Sequence, residues 1–284
     1  MSIEYKEYYS GRTGLSVGVK RLLFARQSDY QLVEVFETDT WGNLLTVDGL
    51  VMLSEKDEFV YHEMISHVGT FTHPSPGRVL IIGGGDGGTA REVMKHPAVK
   101  TVDMVEIDKT VVTASKQFLP RVGDFGNPKL NVIYEDGISF VRQASQSYDL
   151  IIVDGSDPVG PAEGLFEAEF LSCCDRILDD HGVLVTQTES PWVASHHPAI
   201  KKVYRTLNRL FRHAEMYLCH IPLYPAGMWS MMIASKGNNP LEAEVLARAD
   251  RGIGNIPELR YYNGDVHRAA FALPGFVKDI VREN

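Results

Sequence analysis

The chain has 284 residues, of which 44% are hydrophobic and 23% charged. This balance is typical of a globular protein and excludes collagen-like, fibrous and wholly disordered chains. The formal net charge of −9 argues against a nucleic-acid partner, because a protein that binds the phosphate backbone needs a basic face.

The cysteine pattern and the hydropathy indicate where the protein acts. Cys173, Cys174 and Cys219 have neither metal-ligand nor CxxC spacing, so we expect a reduced, cytoplasmic chain without disulfides. Residues 1–11 are polar and acidic, unlike a signal peptide. No apolar run approaches the ~18 residues that span a membrane, so no membrane partner is expected.

Residues 1–55 are predicted to form a small β-strand domain. Short apolar segments alternate with turn signals such as Asp48-Gly49, and strands with such short connections can only be antiparallel. The predicted strands are 15–20, 22–26, 32–36, 44–47 and 50–53. A helix is predicted over about 55–68, with Ser54 as its N-cap.

Residues 56–284 are predicted to form a larger α/β domain. Apolar strands alternate with helix-length segments, which predicts a doubly wound, Rossmann-like domain with parallel strands and both sheet faces covered. The predicted strands are 78–82, 101–107, 130–134, 150–153 and 183–188. Segments 214–221 and 228–234 are predicted to add an antiparallel pair at one edge.

A glycine-rich turn, GGGDGG at 83–88, follows the first strand of this domain. The GxGxxG pattern within it is weak on its own, because a tight turn without a ligand has the same glycines. Ligands of such sheets bind beyond the carboxyl ends of the strands, where Glu106 and Asp136 lie. Glu106 suits a ribose and Asp136 an adenine amine, although either carboxylate could instead cap a helix.

Asp86 lies inside the glycine turn and restricts the class of nucleotide. A carboxylate there would repel a pyrophosphate, which argues against a dinucleotide, and no GK[ST] follows that would make a P-loop. A cationic nucleoside of the S-adenosylmethionine type fits better. Ordinary S-adenosylmethionine, however, carries a carboxylate that Asp86 would repel.

A second group of acids, Asp154 and Asp157, follows the fourth strand at the same end of the sheet. Facing carboxylates without a cation raise one another's pKa, so a positive partner is expected. A metal ion is one alternative, but no His or Cys joins at ligand spacing. An organic polycation is the better partner, with Tyr61 and Tyr224 as flat walls along its methylene chain.

Several longer motifs resemble one family. They are EKDEFVYHEM at 55–64, IIGGGDGG at 81–88, VEID at 105–108, DGSDPVGPA at 154–162, IPLYPAG at 221–227 and YYNGDVHRAAFALP at 261–274. Together they resemble the polyamine aminopropyltransferases, and among these the bacterial spermidine synthases. The glycine turn and VEID alone would fit many adenosyl-dependent transferases, whereas the first and fourth motifs together are specific.

The resemblance implies a class I methyltransferase-type sheet and an aminopropyltransferase. It implies that decarboxylated S-adenosylmethionine and putrescine give spermidine and methylthioadenosine, without a metal or a cofactor beyond this co-substrate. It also implies a homodimer, with a homotetramer as the alternative, and a part for residues 1–55 in assembly and in the substrate entrance.

The family's residue roles are carried over by the same resemblance. The nucleoside-binding residues are Gln31, Gly83, Gly85, Glu106, Asp136, Gly137 and Pro161. The polyamine-binding residues are Tyr61, His62, Asp86, Asp154, Asp157 and Tyr224. Asp86 is expected to hold the aminopropyl amine and Asp154 to accept the proton of the attacking amine. A primary ammonium has a pKa near ~10.4, so it must lose a proton before it attacks.

Three positions depart from the family pattern and leave the acceptor open. Gly155 replaces a usual Ser, Leu223 replaces a usual Thr, and Met52 stands where some members have Gln. The alternatives are a transferase for cadaverine, agmatine or a longer polyamine, a methyltransferase of a small amine, which Asp86 disfavours, and a non-catalytic polyamine-binding module. Gln187 equally suits a distal ammonium and loop amides.

Overall fold

The computed structural model describes residues 3–156 and 160–282, and the side chain of Pro161 is not described. The predicted roles of Asp157 and of the Pro161 side chain therefore lie outside the described residues.

An antiparallel sheet of five strands in sequence order opens the chain. Its strands are β1 (Ile3–Ser10), β2 (Thr13–Gln27), β3 (Leu32–Thr38), β4 (Asn43–Val47) and β5 (Leu50–Ser54). The antiparallel class is confirmed, but β1 was missed because its residues are polar and mostly exposed. The sequence predicted two separate strands, 15–20 and 22–26, and this separation at Arg21 is wrong. Register shifts on both sides of Arg21 disturb the period-two pattern while β2 continues through them.

Helix α1 (Glu58–Thr72) follows and is buried along almost its whole length. The predicted start at 55 with Ser54 as N-cap is wrong, because residues 55–57 form a turn and Asp57 occupies the N-cap position. Ser54 Oγ donates a 2.6 Å hydrogen bond to Asp57 Oδ1, and the Leu223 amide donates to Asp57 Oδ2 at 3.2 Å. Ser54 thus fixes Asp57 instead of capping the helix itself.

The second sheet has seven strands in the order β11-β12-β10-β9-β6-β7-β8. They are β6 (Arg78–Gly83), β7 (Thr101–Val105), β8 (Leu130–Ile133), β9 (Tyr148–Asp154), β10 (Leu178–Gln187), β11 (His213–His220) and β12 (Met228–Ser235). Strands β6 to β10 pair in parallel, whereas β12 is antiparallel to both β10 and β11. The Rossmann-like sheet and its antiparallel edge pair are confirmed.

Helices cover both faces of this sheet. They are α2 (Gly88–Met94), α3 (Lys109–Phe118), α4 (Gly137–Gln143), α5 (Ala168–Ile177), α6 (His197–Leu210), α7 (Ala243–Gly252), α8 (Gly264–Ala270) and α9 (Gly275–Arg282). Val79 and Ile81 pack into one core with α1 and α2, while Leu80 packs into the opposite core with α5 and α6. Burial on both faces is why β6 is a continuous apolar run.

The two sheets are joined through apolar contacts. Val111 of α3 and Leu119, which follows the helix, pack with Val33 and Leu45 of the N-terminal sheet. Leu223 packs with Leu44 and other apolar residues of the same sheet. The sequence left open whether Leu223 is neutral or reshapes the pocket; its side chain lies in this joint and does not line the cavities described below.

In the described part of the chain, no helix combines the length and apolar character that crossing a membrane requires. The three cysteines are free, and Cys174 and Cys219 are buried.

Candidate active site

One cavity lies at the carboxyl ends of β6, β7 and β9 and is closed from the other side by the N-terminal sheet. The sheet contributes Gln31, Leu45, Val47 and Met52 to the wall. The predicted site residues that line it are Gln31, Tyr61, His62, Gly83, Gly85, Asp86, Glu106, Asp136, Gly137, Asp154 and Tyr224. The fold therefore brings together the predicted residues that are described.

The glycine turn lies directly against two of the acids. Gly83 has φ 85°, and a Cβ there would lie 2.2 Å from the carbonyl oxygen of Asp154. The Gly84 amide donates a 2.9 Å hydrogen bond to the same oxygen. A Cβ on Gly85 would lie 2.8 Å from Glu106 Oε2. Side chains are thus excluded from the turn, and its backbone stays open to a ligand.

Asp154, at the end of β9, has two different carboxylate oxygens. Oδ1 accepts a 2.7 Å hydrogen bond from the Tyr61 hydroxyl, whereas Oδ2 is buried and has no hydrogen-bond partner among the described residues. Burial raises the pKa of Asp154, and the nearby carboxylate of Asp86 raises it further. A carboxylate with a raised pKa and a free oxygen is suited to accept a proton.

Asp86 is held by a buried histidine and a backbone amide. Its Oδ1 accepts a 2.7 Å hydrogen bond from the Gly88 amide and lies 3.1 Å from His62 Nε2. The other ring nitrogen of His62 lies 2.5 Å from Glu58 Oε2. Burial alone would lower the pKa of His62, but Asp86 and Glu58 raise it to about 10. The predictions named His62 but missed Glu58, although the i,i+4 spacing on α1 was a signal for the pair.

Glu106 directly follows β7 and lines the cavity. Its Oε1 accepts a 2.8 Å hydrogen bond from the Asp108 amide. Burial raises the pKa of Glu106 to about 7, with the neighbouring carboxylates adding to the effect. Ser28 Oγ donates to Asp108 Oδ2 at 2.7 Å and accepts from the Gln31 amide at 3.0 Å, which places Gln31 at the same end of the cavity.

Asp136 caps α4 from the cavity wall. Its Oδ1 accepts from the Ile138 amide at 3.1 Å, and its Oδ2 accepts from the Ser139 amide and hydroxyl at 3.2 and 2.7 Å. The helix-cap alternative therefore holds for this carboxylate. A Cβ on Gly137 would lie 2.5 Å from Ile82 Cγ2, so the start of α4 packs tightly on β6.

A second, smaller chamber adjoins the first. The two share Met52, Tyr61, Gly155, Ser156 and Tyr224, and the smaller one is also lined by Glu7, Leu50, Val51, Gln187, Pro225 and Trp229. Tyr224 forms part of the partition, with its hydroxyl donating to the Met52 carbonyl at 2.6 Å. The chambers together make an elongated space.

Glu7 is the acidic residue of this second chamber that the sequence predictions missed. It is buried in the polar strand β1, its Oε2 accepts from the Val51 amide at 2.7 Å, and burial raises its pKa. Gln187 Nε2 donates to the carbonyls of Gly155 and Ser156, both at 3.3 Å, so its amide also serves the loop.

A possible metal cluster lies elsewhere. His73, Asp149 and Asp179 each bring one ligand atom within 4.8 Å of the others. His73 Nδ1, however, accepts a 3.1 Å hydrogen bond from the Ser75 amide, so in a neutral ring Nε2 carries the proton. A protonated nitrogen is not a metal ligand, so this ring does not offer Nε2 to a metal ion in that state.

Two family models match consecutive parts of the chain. The spermidine synthase tetramerisation domain matches residues 4–55, and the spermine/spermidine synthase domain matches residues 58–243, well over half of the chain. The chain belongs to the spermine/spermidine synthase family. The predicted resemblance is confirmed.

Relatives of this family match from end to end. The polyamine aminopropyltransferase of Alkaliphilus oremlandii is 41% identical over 284 residues, covering 100% of this chain and 99% of the relative. The polyamine aminopropyltransferase of Bacillus subtilis is 42% identical over 279 residues, covering 98% of each. The chain is accordingly an enzyme of the class that transfers aminopropyl groups.

Solved structures of the family share the fold. A spermidine synthase in complex with the transition state analogue AdoDATO superposes with a TM-score of 0.92 at 39% identity, covering 98% of this chain and 94% of its own. The spermidine synthase of Thermotoga maritima gives a TM-score of 0.90 at 38% identity, with the same coverage.

Proposed function

We propose that this enzyme transfers the aminopropyl group of decarboxylated S-adenosylmethionine to putrescine, giving spermidine and methylthioadenosine. The observation that carries the proposal is the charge of the main cavity. Asp86, Glu106 and Asp154 line it close together, and His62 is the one basic side chain among the described lining residues. Such a cavity favours cationic substrates and disfavours a donor that carries its own carboxylate.

The lining of the main cavity supports one orientation of the donor. Its nucleoside lies between Gln31 and the carboxyl ends of β6 and β7, with the ribose hydroxyls donating to Glu106. The glycine turn lets the sulfonium approach the backbone, and the aminopropyl ammonium lies against Asp86. The similar spermidine synthase that was solved in complex with the transition state analogue AdoDATO supports the same class of reaction for this chain.

The acceptor reacts beside Asp154. Its ammonium group transfers a proton to Oδ2, and the freed lone pair attacks the aminopropyl carbon that is bonded to sulfur. A nitrogen–carbon bond forms as the carbon–sulfur bond breaks. The bonding pair stays on sulfur, so methylthioadenosine leaves as a neutral thioether and the new secondary amine keeps the positive charge. Alignment of nitrogen, carbon and sulfur supplies much of the rate.

The second chamber receives the distal end of the acceptor. The methylene chain runs between Tyr61 and Tyr224, and the distal ammonium faces Glu7 and Gln187. Because this chamber continues past Tyr224, the alternative of a longer acceptor amine also has support in the structure.

We propose that assembly uses the N-terminal sheet. Ile3, Tyr8 and Leu22 are large apolar residues exposed on β1 and β2, and a second copy packed against this part of the sheet would bury some of them. Part of the chain matches a tetramerisation domain, and a homodimer is the expected basic unit. Sedimentation velocity of wild type and of Leu22→Glu tests this. Loss of the dimer in the variant is expected, and a wild-type monomer would overturn the proposal.

The decisive experiment measures methylthioadenosine release. Decarboxylated S-adenosylmethionine is supplied with putrescine, cadaverine, agmatine or spermidine separately, and Asp154→Asn serves as the inactive control. Fast release with putrescine alone supports the proposal. Preference for another amine keeps the reaction but changes the acceptor. Binding of the donor without release in the presence of any amine would favour a non-catalytic polyamine-binding module.

A further inference from the structure

We propose that His62 is a positioning residue. As an imidazolium clamped between Glu58 and Asp86, it fixes the orientation and the negative charge of Asp86 and does not use its ring nitrogens to bind the acceptor amine. The proposal rests on the function proposed above only in taking Asp86 as the anchor of the donor's ammonium group.

Both ring nitrogens of His62 are committed to protein carboxylates. Nδ1 lies 2.5 Å from Glu58 Oε2, Nε2 lies 3.1 Å from Asp86 Oδ1, and the side chain is only 3% exposed. Because each nitrogen faces a carboxylate oxygen, the arrangement is satisfied when both nitrogens carry protons. A substrate ammonium has only donors to offer and finds no acceptor on this ring.

Arg91 holds the Glu58 carboxylate, which also contacts His62. Its Nη2 and Nη1 donate to Glu58 Oε2 and Oε1 at 2.9 and 3.1 Å, and Nη1 also donates to the Val122 carbonyl at 2.6 Å. Burial alone would raise the pKa of Glu58, but His62 and Arg91 lower it, so Glu58 stays ionised. Charges therefore alternate from Arg91 through Glu58 and His62 to Asp86.

The backbone packs closely against the His62 ring on one side. A Cβ on Gly88 would lie 2.3 Å from His62 Cε1 and Nδ1, so the first residue of α2 packs directly on the ring. The Gly88 amide meanwhile donates to the same oxygen, Asp86 Oδ1, that faces His62. Two donors on one oxygen fix that side of the carboxylate and leave Oδ2 for a ligand.

The imidazolium decides whether Asp86 is charged. Burial alone would raise the pKa of Asp86, but His62 lowers it, with the Gly88 amide adding to the effect. The other charged or titratable groups around His62 are Glu58 and Tyr61 on its own helix, Arg91 on α2 and Asp154 at the end of β9. Without the positive ring, the carboxylates of Asp86 and Asp154 would face each other unscreened.

The first test reads the protonation of His62 directly and does not depend on turnover. In protein labelled with ¹⁵N-histidine, nitrogen–proton correlation spectra are recorded from pH 6 to 8.5, and His62→Gln identifies the signal. We expect both ring nitrogens to stay protonated over this range, and Asp86→Asn to shift the loss of the proton to lower pH. A ring with one proton at pH 7.5 in the wild type would overturn the proposal.

The second test separates positioning from folding by comparing two ligands. Decarboxylated S-adenosylmethionine carries the ammonium that faces Asp86, whereas methylthioadenosine lacks it. Glu58→Gln weakens the contact between Glu58 and His62 without changing side-chain size. By calorimetry we expect the variant to bind decarboxylated S-adenosylmethionine about tenfold more weakly and methylthioadenosine as the wild type does. Equal weakening of both ligands, or of neither, would contradict a role through Asp86.

Glu63→Gln is the matched control. Glu63 is buried on the same helix, but its carboxylate accepts the amides of Arg260, Tyr261 and Tyr262 and does not touch His62. We expect this variant to lower thermal stability and to leave the ratio of the two affinities unchanged. In Glu58→Gln, the pH below which the ammonium ligand dissociates should also rise, because Asp86 then protonates at a higher pH. An unmoved pH profile would overturn the proposal.

Discussion

Tyr61 donates a 2.7 Å hydrogen bond to Asp154 across 93 positions of sequence. Tyr61 lies on α1, which covers the sheet, while Asp154 ends the central strand β9. The bond fixes Oδ1 of the carboxylate and leaves Oδ2 without a protein partner among the described residues. The two oxygens of this carboxylate are therefore in different environments, one held by Tyr61 and one buried without such a bond.

Asp154→Asn tests the role proposed for Oδ2. The amide has nearly the same size but cannot accept the amine proton, and a positioned base contributes roughly 10²–10⁴-fold to a rate. We expect kcat to fall by at least about 100-fold while methylthioadenosine binds as in the wild type. Steady-state kinetics measures kcat, and calorimetry on the same preparation measures the affinity for methylthioadenosine. Near-normal turnover would remove Asp154 as the proton acceptor.

Tyr61→Phe tests the hydrogen bond from the Tyr61 hydroxyl to Asp154 Oδ1. The variant removes a donor to the carboxylate, so the pKa of Asp154 rises and the orientation of the base loosens. We expect a fall in kcat of about tenfold, which corresponds to ~1.4 kcal/mol of barrier, and a shift of its pH dependence to higher pH. Tyr224→Phe is the matched control, because that neighbouring hydroxyl donates to the Met52 carbonyl instead. An unshifted pH profile in Tyr61→Phe would contradict the role.

The raised pKa of Glu106 leads us to expect that nucleoside binding depends on pH. Its pKa is raised to about 7, first by burial, and only the ionised form accepts from both ribose hydroxyls. The ionised fraction grows as pH rises through 7, so methylthioadenosine should bind roughly tenfold more tightly at pH 8 than at pH 6. Calorimetric titrations measure this. Glu106→Gln should bind weakly and independently of pH, and a flat wild-type profile would contradict the assignment.

Gly155 packs against Leu165, so substitutions at these two positions should have non-additive effects on the free energy of unfolding. A Cβ at 155 would lie 2.7 Å from Leu165 Cδ1. Gly155→Ser should therefore lower the free energy of unfolding by about 1 kcal/mol through overpacking. Leu165→Val trims the same contact, so the double variant should be more stable than the sum of the two single effects. Denaturant titrations of the four proteins complete the cycle, and additive effects would show that the positions do not interact.

The strand pattern allowed most of the large domain to be predicted. Central parallel strands are buried on both faces, so residues 79–82 of β6 and 150–153 of β9 are unbroken apolar runs. Acids at the ends of such strands must meet, because the carboxyl ends of parallel strands share one edge of the sheet. For this reason the sequence alone predicts Asp86, Glu106 and Asp154 at one end of the sheet.

The N-terminal sheet was harder to predict. Strand β1 is polar and exposed, and its partner β2 changes register on both sides of Arg21, so neither has a regular alternation over its length. Glu7 went unnoticed with β1, although it contributes a carboxylate to the second chamber. A polar residue on an edge strand has no local pattern that distinguishes burial from exposure.

The sequence by itself determined the fold class, the family and the acids at the ends of the parallel strands, since these follow from short-range periodicity and contiguous motifs. Only the tertiary structure decided which oxygen of Asp154 is free, that both nitrogens of His62 face carboxylates, and that Glu7 reaches the second chamber. Hydrogen-bond direction and burial depend on which distant segments meet, and no local pattern of residues carries that information.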